Sequence, residues 1–301
     1  MQVYSDEKAV ANALAGAVEA PLERSCAASD RIVVAPDLAG IERIEARFHG
    51  KGFEPHRHDT YALGVTMAGI QTFRYRGEER FSPPGNVIVL HPDELHDGGA
   101  GTDDGLTYRM MYIPPELFLP VTAERGRTLP FVASPVVEDP RLARLLLEAF
   151  GNDTIEPLKF DELVEEIASA LLDHSGAVQM RSGRLARPEV LRACDFLREN
   201  LSRQVSSSEL EDVTGLDRFA LSRQFRQLLG TSPHRYLVMR RLERAKALIA
   251  IGENIAEAAF AGGFADQAHL NRHFKKSLGM TPGRFAALAG RHSRRDQPPG
   301  S

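Results

Sequence analysis

The sequence predicts an α+β, multidomain chain: a β-barrel or sandwich with flanking helices, followed by an all-α tandem helix-turn-helix domain. Three observations predict it. Residues 31–113 alternate apolar and polar side chains with period two, punctuated by turns. From about residue 139 the apolar period lengthens to that of helices. Finally, the sixteen-residue segment LSRQFRQLLGTSPHRY at 221–236 returns forty-nine residues later as LNRHFKKSLGMTPGRF, with seven identities.

At 301 residues and about 150 residues per domain, two domains are expected. The boundaries read as an N-terminal extension at 1–30, a β-rich domain at 31–175, a linker at 176–187, a helical domain at 188–291 and a tail at 292–301. No apolar run approaches the ~18 residues of a membrane span, so no membrane partner is expected. The Ala-rich start lacks a basic region before it, which argues against a secretory signal. Cys26 and Cys194 are the two cysteines and lie far apart. They argue against a disulfide scaffold or a cysteine-rich zinc site, and fit a cytoplasmic protein. The net charge of −4 hides an asymmetry: residues 188–301 carry 18 Lys and Arg against 12 Asp and Glu, and residues 1–187 carry 19 against 29. A basic C-terminal third on an acidic body suits a polyanion.

Within the β-rich part, alternation marks Ile44, Ala46 and Phe48; Tyr61, Leu63, Val65 and Met67; Phe73 and Tyr75; and Tyr108, Met110 and Tyr112. A hairpin is expected around Gly77, and Pro83–Asn86 is a turn before the apolar run at 87–90. Two amphipathic helices follow at 139–150 and 159–174. The second carries Phe160, Leu163, Val164, Ile167, Leu171 and Leu172 on one stripe, opposite acids. That stripe either packs on the β-rich domain or joins two copies of the chain. In the second case Leu163, Ile167 and Leu171 are the dimerisation residues and a homodimer is expected.

The repeat begins with a capping box, Ser206 and Glu209, and Gly215 is placed to end the helix it starts. A second helix runs from about Arg218 to Leu229 and stops at Gly230, completing a helix-turn-helix. The second copy has Gly262–Gly263 at its turn, one residue longer, and a helix near 266–278 stopped at Gly279. At 100° per residue, Leu221, Phe225 and Leu228 point inward, leaving Phe219, Ser222, Arg223 and Arg226 outward. In the second copy Leu270, Phe274 and Leu278 point inward, with Ala268, Asn271, Arg272 and Lys275 outward. Arg pairs with guanine, Ser and Asn bond base edges, and Lys neutralises phosphate. Between the copies, Ser232 and Pro233 start one connecting helix. At roughly 25 Å it can set two recognition helices about one turn of double-stranded DNA apart.

On these motifs, with RRLERAKALI in the connecting helix and IAEAAFAGGFADQAHLNRHFKKSLGMTPGRF at the end, the last hundred or so residues resemble the AraC/XylS family of transcription regulators. The resemblance implies base contacts from Phe219, Ser222 and Arg223, and from Ala268, His269, Arg272 and His273. It also implies a DNA operator, and RNA polymerase as partner if the chain is an activator. Ala268 is smaller than the polar residue often found there, which puts readout at that position in doubt. Further upstream, GFEPHRHDTYALGVTMAG (52–69) and PPGNVIVLHPDELH (83–96) resemble the two motifs of a cupin barrel, giving an N-terminal cupin-like β-barrel. His56, His58 and His96 would line its interior, and in regulators of this kind the barrel holds a small-molecule effector. Tyr61 and Arg109 are the neighbouring effector-binding candidates, with Arg74 and Tyr108 beside them. Metal-binding cupins add a glutamate where this chain has Ala62 and Leu63, so no metal and no cofactor is expected and the histidines are read as polar contacts to the effector. No catalytic residue is assigned. The alternative is a cupin metalloenzyme carrying an appended DNA-binding domain.

Overall fold

The computed structural model describes residues 30–151, 154–176 and 185–289. The expected N-terminal extension (apart from Asp30), most of the expected linker and the tail lie outside the described residues.

Two antiparallel sheets form the N-terminal part. The larger has the order β1 (Arg31–Val34), β2 (Glu42–Phe48), β9 (Leu106–Ile113), β4 (Tyr61–Ala68), β7 (Val87–Leu90) and β10 (Val136–Val137). The smaller has the order β3 (Lys51–His56), β8 (His96–Ala100), β5 (Gln71–Tyr75) and β6 (Glu78–Ser82). The β5–β6 hairpin closes on Arg76 and Gly77, both at positive φ (52° and 82°), as a two-residue loop requires. Even-numbered side chains of the larger sheet, among them Ile44, Ala46, Phe48, Ile88, Leu90, Tyr108 and Met110, share a core with Phe73 and Tyr75 of the smaller one. Odd-numbered Tyr61, Leu63, Val65, Val87, Val89, Met111 and Ile113 face outward into a second core beneath helices. The central strands are therefore buried on both faces, which is why the run at 87–90 does not alternate.

That outer layer contains a short turn at Pro115–Phe118, α1 (Leu119–Glu124), α2 (Pro140–Phe150) and α3 (Pro157–Asp173). Asp139 caps α2 by accepting from the amides of Arg141 and Leu142. In α3, Leu163 is 9% exposed and Ile167 and Leu171 are fully buried, all in the outer core that α3 shares with α1, α2 and the larger sheet. The dimerisation role expected for these three side chains is thereby corrected: an apolar side chain already dry inside one copy has no surface left for another. The exposed face of α3 carries Asp161, Glu162 and Glu165.

The C-terminal part is helical throughout: α4 (Arg187–Glu199), α5 (Ser207–Thr214), α6 (Arg218–Leu229), α7 (Pro233–Ala250), α8 (Ile255–Ala261), α9 (Gln267–Leu278) and α10 (Pro282–Ala289). Both halves of the capping box at Ser206 and Glu209 form, and Gly215 takes φ 71° to end α5. The copies, α5–α6 and α8–α9, use matching punctuation. Asp217 and Asp266 cap α6 and α9, and Gly230 and Gly279 end them at φ 70° and 63°. Ser232 and Thr281 then accept from the amides of Arg235 and Arg284. Each repeat is thus specified by the same local chemistry.

The two parts are docked. Met239, Leu242, Phe274 and Phe285 continue the core that fills the space between the sheets. Leu119 joins the core of the first helix-turn-helix with Val190, Leu221 and Phe225. The Glu54 amide donates to the Gly279 carbonyl (3.0 Å) and the Arg57 amide to that of Lys276 (3.3 Å), so β3 and the residue beyond it hold the end of α9. A β-carbon at Gly279 would lie 2.3 Å from the Glu54 oxygen; only glycine permits that approach.

Candidate effector site and nucleic-acid interface

The outer faces of α6 and α9 carry most of the side chains named as base-contact candidates. Leu221, Phe225 and Leu228 are buried beneath α6, while Arg223 and Arg226 are exposed and Ser222 is half-buried. Phe219 is 66% exposed at the start of the helix, with the Arg218 guanidinium 5.3 Å from its ring centre. On α9, Asn271, Arg272 and Lys275 are exposed above buried Leu270 and Phe274. His269 and His273 are half-buried: their rings lie 4.8 Å apart and both approach Phe264 in the turn (5.4 and 6.0 Å). Burial, with the charge of His269, lowers the pKa of His273. These two histidines brace the turn as well as bordering the exposed face.

The histidines at the other end of the molecule are brought together by strand register. His56 on β3 lies directly across from His96 on β8, and Tyr75 on β5 flanks His96 on the far side. His58, just past β3, completes the cluster: ring centres are 4.3 Å apart for His56 and His96 and 4.8 Å for His58 and His96. Each ring holds its Nδ1 against a backbone carbonyl, those of Glu54 (2.7 Å), Thr60 (2.9 Å) and Glu94 (2.9 Å). A carbonyl only accepts, so each Nδ1 carries the proton and each Nε2 offers a lone pair. The His58 Nε2 is buried without a hydrogen-bond partner. Burial, then the neighbouring histidines, pushes all three down to about 3, so they are neutral near pH 7.

His56 and His58 line a cavity of ≈ 30 Å³ at the mouth between the sheets, closed on the far side by α7 and α9. Its other walls include Glu42, Phe53, Asp59 and Tyr112 from the β-rich part and Met239, Leu242, Glu243 and Lys246 from α7. A neighbouring cavity of ≈ 130 Å³ shares Glu42, Glu243 and Lys246 and continues past Val34 and Asp37. Two charged pairs cross the mouth: Asp59 (1% exposed) accepts from Arg240 (5% exposed) at 2.9 Å, and Lys246 pairs with Glu42; Glu243 pairs with Arg240 within α7.

Two expected effector contacts are elsewhere. Tyr61 points into the outer core, where its hydroxyl donates to the Pro130 carbonyl (2.8 Å). Arg109 is on the same outer face, bonded to Glu45 (2.9 Å) and lying over Phe150. Both occupy odd positions, and only even positions on these strands face between the sheets. Tyr112, at an even position, is the residue that reading missed; its ring meets His58 edge-on at 5.3 Å. A fourth histidine, His91, is used structurally: it accepts from the Val132 amide (2.9 Å) and bonds the Tyr75 hydroxyl (2.8 Å). Arg240, Glu243 and Lys246 were legible as a charged row at i, i+3 spacing on one helix, although nothing local named their partners.

A two-sheet sensor whose mouth is sealed by a tandem helix-turn-helix is a DNA-binding regulator built to respond to a ligand. Comparison with known proteins agrees. A model of AraC-like ligand-binding domains matches residues 38–172, and a helix-turn-helix domain model matches 210–287. The chain belongs to the AraC family of transcription regulators. An uncharacterised HTH-type transcriptional regulator of Bacillus subtilis, YbfI, is 28% identical over 236 residues, covering 75% of this chain and 86% of that one. The HTH-type transcriptional activator RhaS of Yersinia pestis is 25% identical over 252 residues, covering 79% and 91%. Among solved structures, ToxT of Vibrio cholerae has a TM-score of 0.59 at 11% identity, covering 82% of this chain and 98% of that one. ToxT has also been solved with an unsaturated fatty acid bound (TM-score 0.55, 12% identity, 86% and 94% covered). Among the described residues, no helix is long and apolar enough to cross a membrane.

Proposed function

We infer that this regulator senses its effector at the mouth between the sheets, and reads two successive half-sites with α6 and α9. The observation that carries the first part is the His58 Nε2: a buried lone pair beside a cavity walled by both the sensor and the DNA-binding helices. A group bonded there touches both parts, so occupancy biases how they sit together. The effector-binding residues are His56, His58, His96 and Tyr112. For DNA, the exposed Arg223, Arg226, Asn271, Arg272 and Lys275 support base and phosphate contact, with Phe219 and Ser222 at the start of α6 and His269 and His273 at the edge of α9. The chain works in the cytoplasm as a homodimer, through a surface other than the buried stripe of α3, and contacts RNA polymerase where it activates. Its role is regulatory rather than catalytic.

The test is operator binding by fluorescence anisotropy across a salt series. The slope of log K against log salt is expected near −0.9 per phosphate neutralised. Arg223→Ala and Arg272→Ala are each expected to cost about 1–3 kcal/mol and to relax base choice at different half-sites, about 10 base pairs apart. Equal weakening on all DNA assigns both arginines to phosphate and removes the readout.

A further inference from the structure

The mouth has a marked chemical bias. His56 and His58 line it, the His58 Nε2 has no donor, and Glu42 has one carboxylate oxygen on Lys246 and the other buried without a partner. Three carboxylates, Glu42, Asp59 and Glu243, meet two cations, Arg240 and Lys246. Burial pushes Glu243 up to about 7; Arg240 opposes the rise, while Asp59 and Glu42 add to it. Among the side chains that line the cavity, the atoms without a partner, the His58 Nε2 and one Glu42 oxygen, are both acceptors, so the unmet demand there is for a hydrogen-bond donor. One such group already sits there: the Lys246 ammonium pairs with Glu42 and lies 5.3 Å from the centre of the Tyr112 ring, a carboxylate and an aromatic face around a cation.

We propose that the mouth is a receptor for a small organic ammonium ion, and that Lys246 of α7 is the tethered ammonium an incoming ligand displaces from Glu42 and Tyr112. This rests on the mouth being the effector site, and it specifies the class of effector. The ≈ 30 Å³ cavity suits a water-sized head group, bonded to the His58 Nε2 and the free Glu42 oxygen. The ≈ 130 Å³ cavity beyond Glu42 takes the remainder of the molecule. Glu42 and Tyr112 are cross-strand neighbours, so the cage belongs to the sensor and the plug to the DNA-binding part. Displacement thereby removes a contact between them.

The experiment titrates the full chain with n-butylammonium, n-butanol and n-butyrate, probes of matched size, and follows imidazole NMR signals of His56 and His58. Wild type is expected to respond to the ammonium probe at least tenfold more tightly than to either control. Lys246→Met, which keeps the length of the side chain and removes the competitor, is expected to tighten that response at least tenfold. Glu42→Gln is expected to abolish it. A response led by butanol or butyrate overturns the ammonium class and leaves the mouth as the site. Histidine signals that ignore all three probes overturn both. A response to the ammonium probe that needs added metal, or that Lys246→Met leaves unchanged, overturns the displacement. The wild-type series decides the ligand class whether or not the variants fold.

Discussion

Acid should unfold the sensor through its histidines. Each of His56, His58 and His96 is held neutral, pushed down to about 3, whereas an unfolded histidine titrates near 6.5. Between those values the unfolded chain binds a proton that the folded chain refuses. The stability these groups contribute is therefore complete above about pH 6.5 and lost as pH falls toward 3. At pH 5 the loss is about 1.5 pH units at about 1.4 kcal/mol each, or ~2 kcal/mol per histidine and ~6 kcal/mol for three. That is comparable with the whole stability of an ordinary domain, about 5–15 kcal/mol. Glu243 works in the opposite direction: with its carboxyl pushed up to about 7, the fold holds a proton that the unfolded chain releases as pH rises above about 4.5. The clean measurement is therefore a difference. Urea unfolding followed by circular dichroism at pH 7, 6 and 5 is compared between wild type and His96→Gln. The variant should lose stability less steeply, by about 1.4 kcal/mol per pH unit between pH 6 and 5. Equal slopes would refute the assignment of His96 as a buried neutral base.

Three further outcomes are expected. Gly230→Ala should cost about 1–2 kcal/mol, the strain of its left-handed backbone, because nothing lies closer than 4.0 Å to the new carbon. Gly279→Ala should cost more and accelerate amide exchange at Glu54, because its carbon meets the Glu54 oxygen; equal costs in urea would remove the steric argument. Leu171→Glu should unfold the sensor, losing at least 3–5 kcal/mol, since Leu171 is fully buried; a folded, monomeric variant would restore its role between copies. A double-mutant cycle on Asp59→Asn and Arg240→Met should return a coupling of about 1 kcal/mol or more; additive losses would mean the buried pair across the mouth is not coupled.

What was legible in the sequence was what local chemistry encodes. Ser206 with Glu209, Gly215, Gly230, and Ser232 before Pro233 each state a helix start or stop within four residues, and all behave as read. The hairpin at Gly77 is equally local. Strand faces were less legible. On β4, Tyr61, Leu63 and Val65 alternate, but the pattern does not say which side of the sheet they take; they face the outer core, while Ala62 lies in the core between the sheets and a carbon at Gly64 would strike Met110. A sheet covered on both sides offers no polar face by which to tell inside from outside. The stripe on α3 fails in the same way, since apolar spacing names a buried face without naming the partner. Contacts across the mouth were out of reach: Arg240 and Asp59 are 181 residues apart, and no periodicity relates them.

The duplication carries a consequence beyond reading DNA twice. In each copy the residues after the recognition helix, Gly-x-x-Pro-x-Arg, turn back onto the sensor. Arg235 pairs with Asp93 at 3.0 Å, and Arg284 donates to the Lys51 carbonyl at 3.4 Å. The second copy is held more intimately, through the Glu54 amide on Gly279. The same Glu54 accepts from the His56 Nδ1 through its carbonyl. One residue therefore stands between a histidine of the mouth and the end of α9, with a hydrogen bond on each side. His56 and the end of α9 thus share one strand residue, whereas the first repeat is held elsewhere, by Arg235 of α7 on Asp93 and by Leu119 in its core. The two repeats are thereby tied unequally to the β-rich part, the second through a strand that also carries a histidine of the mouth.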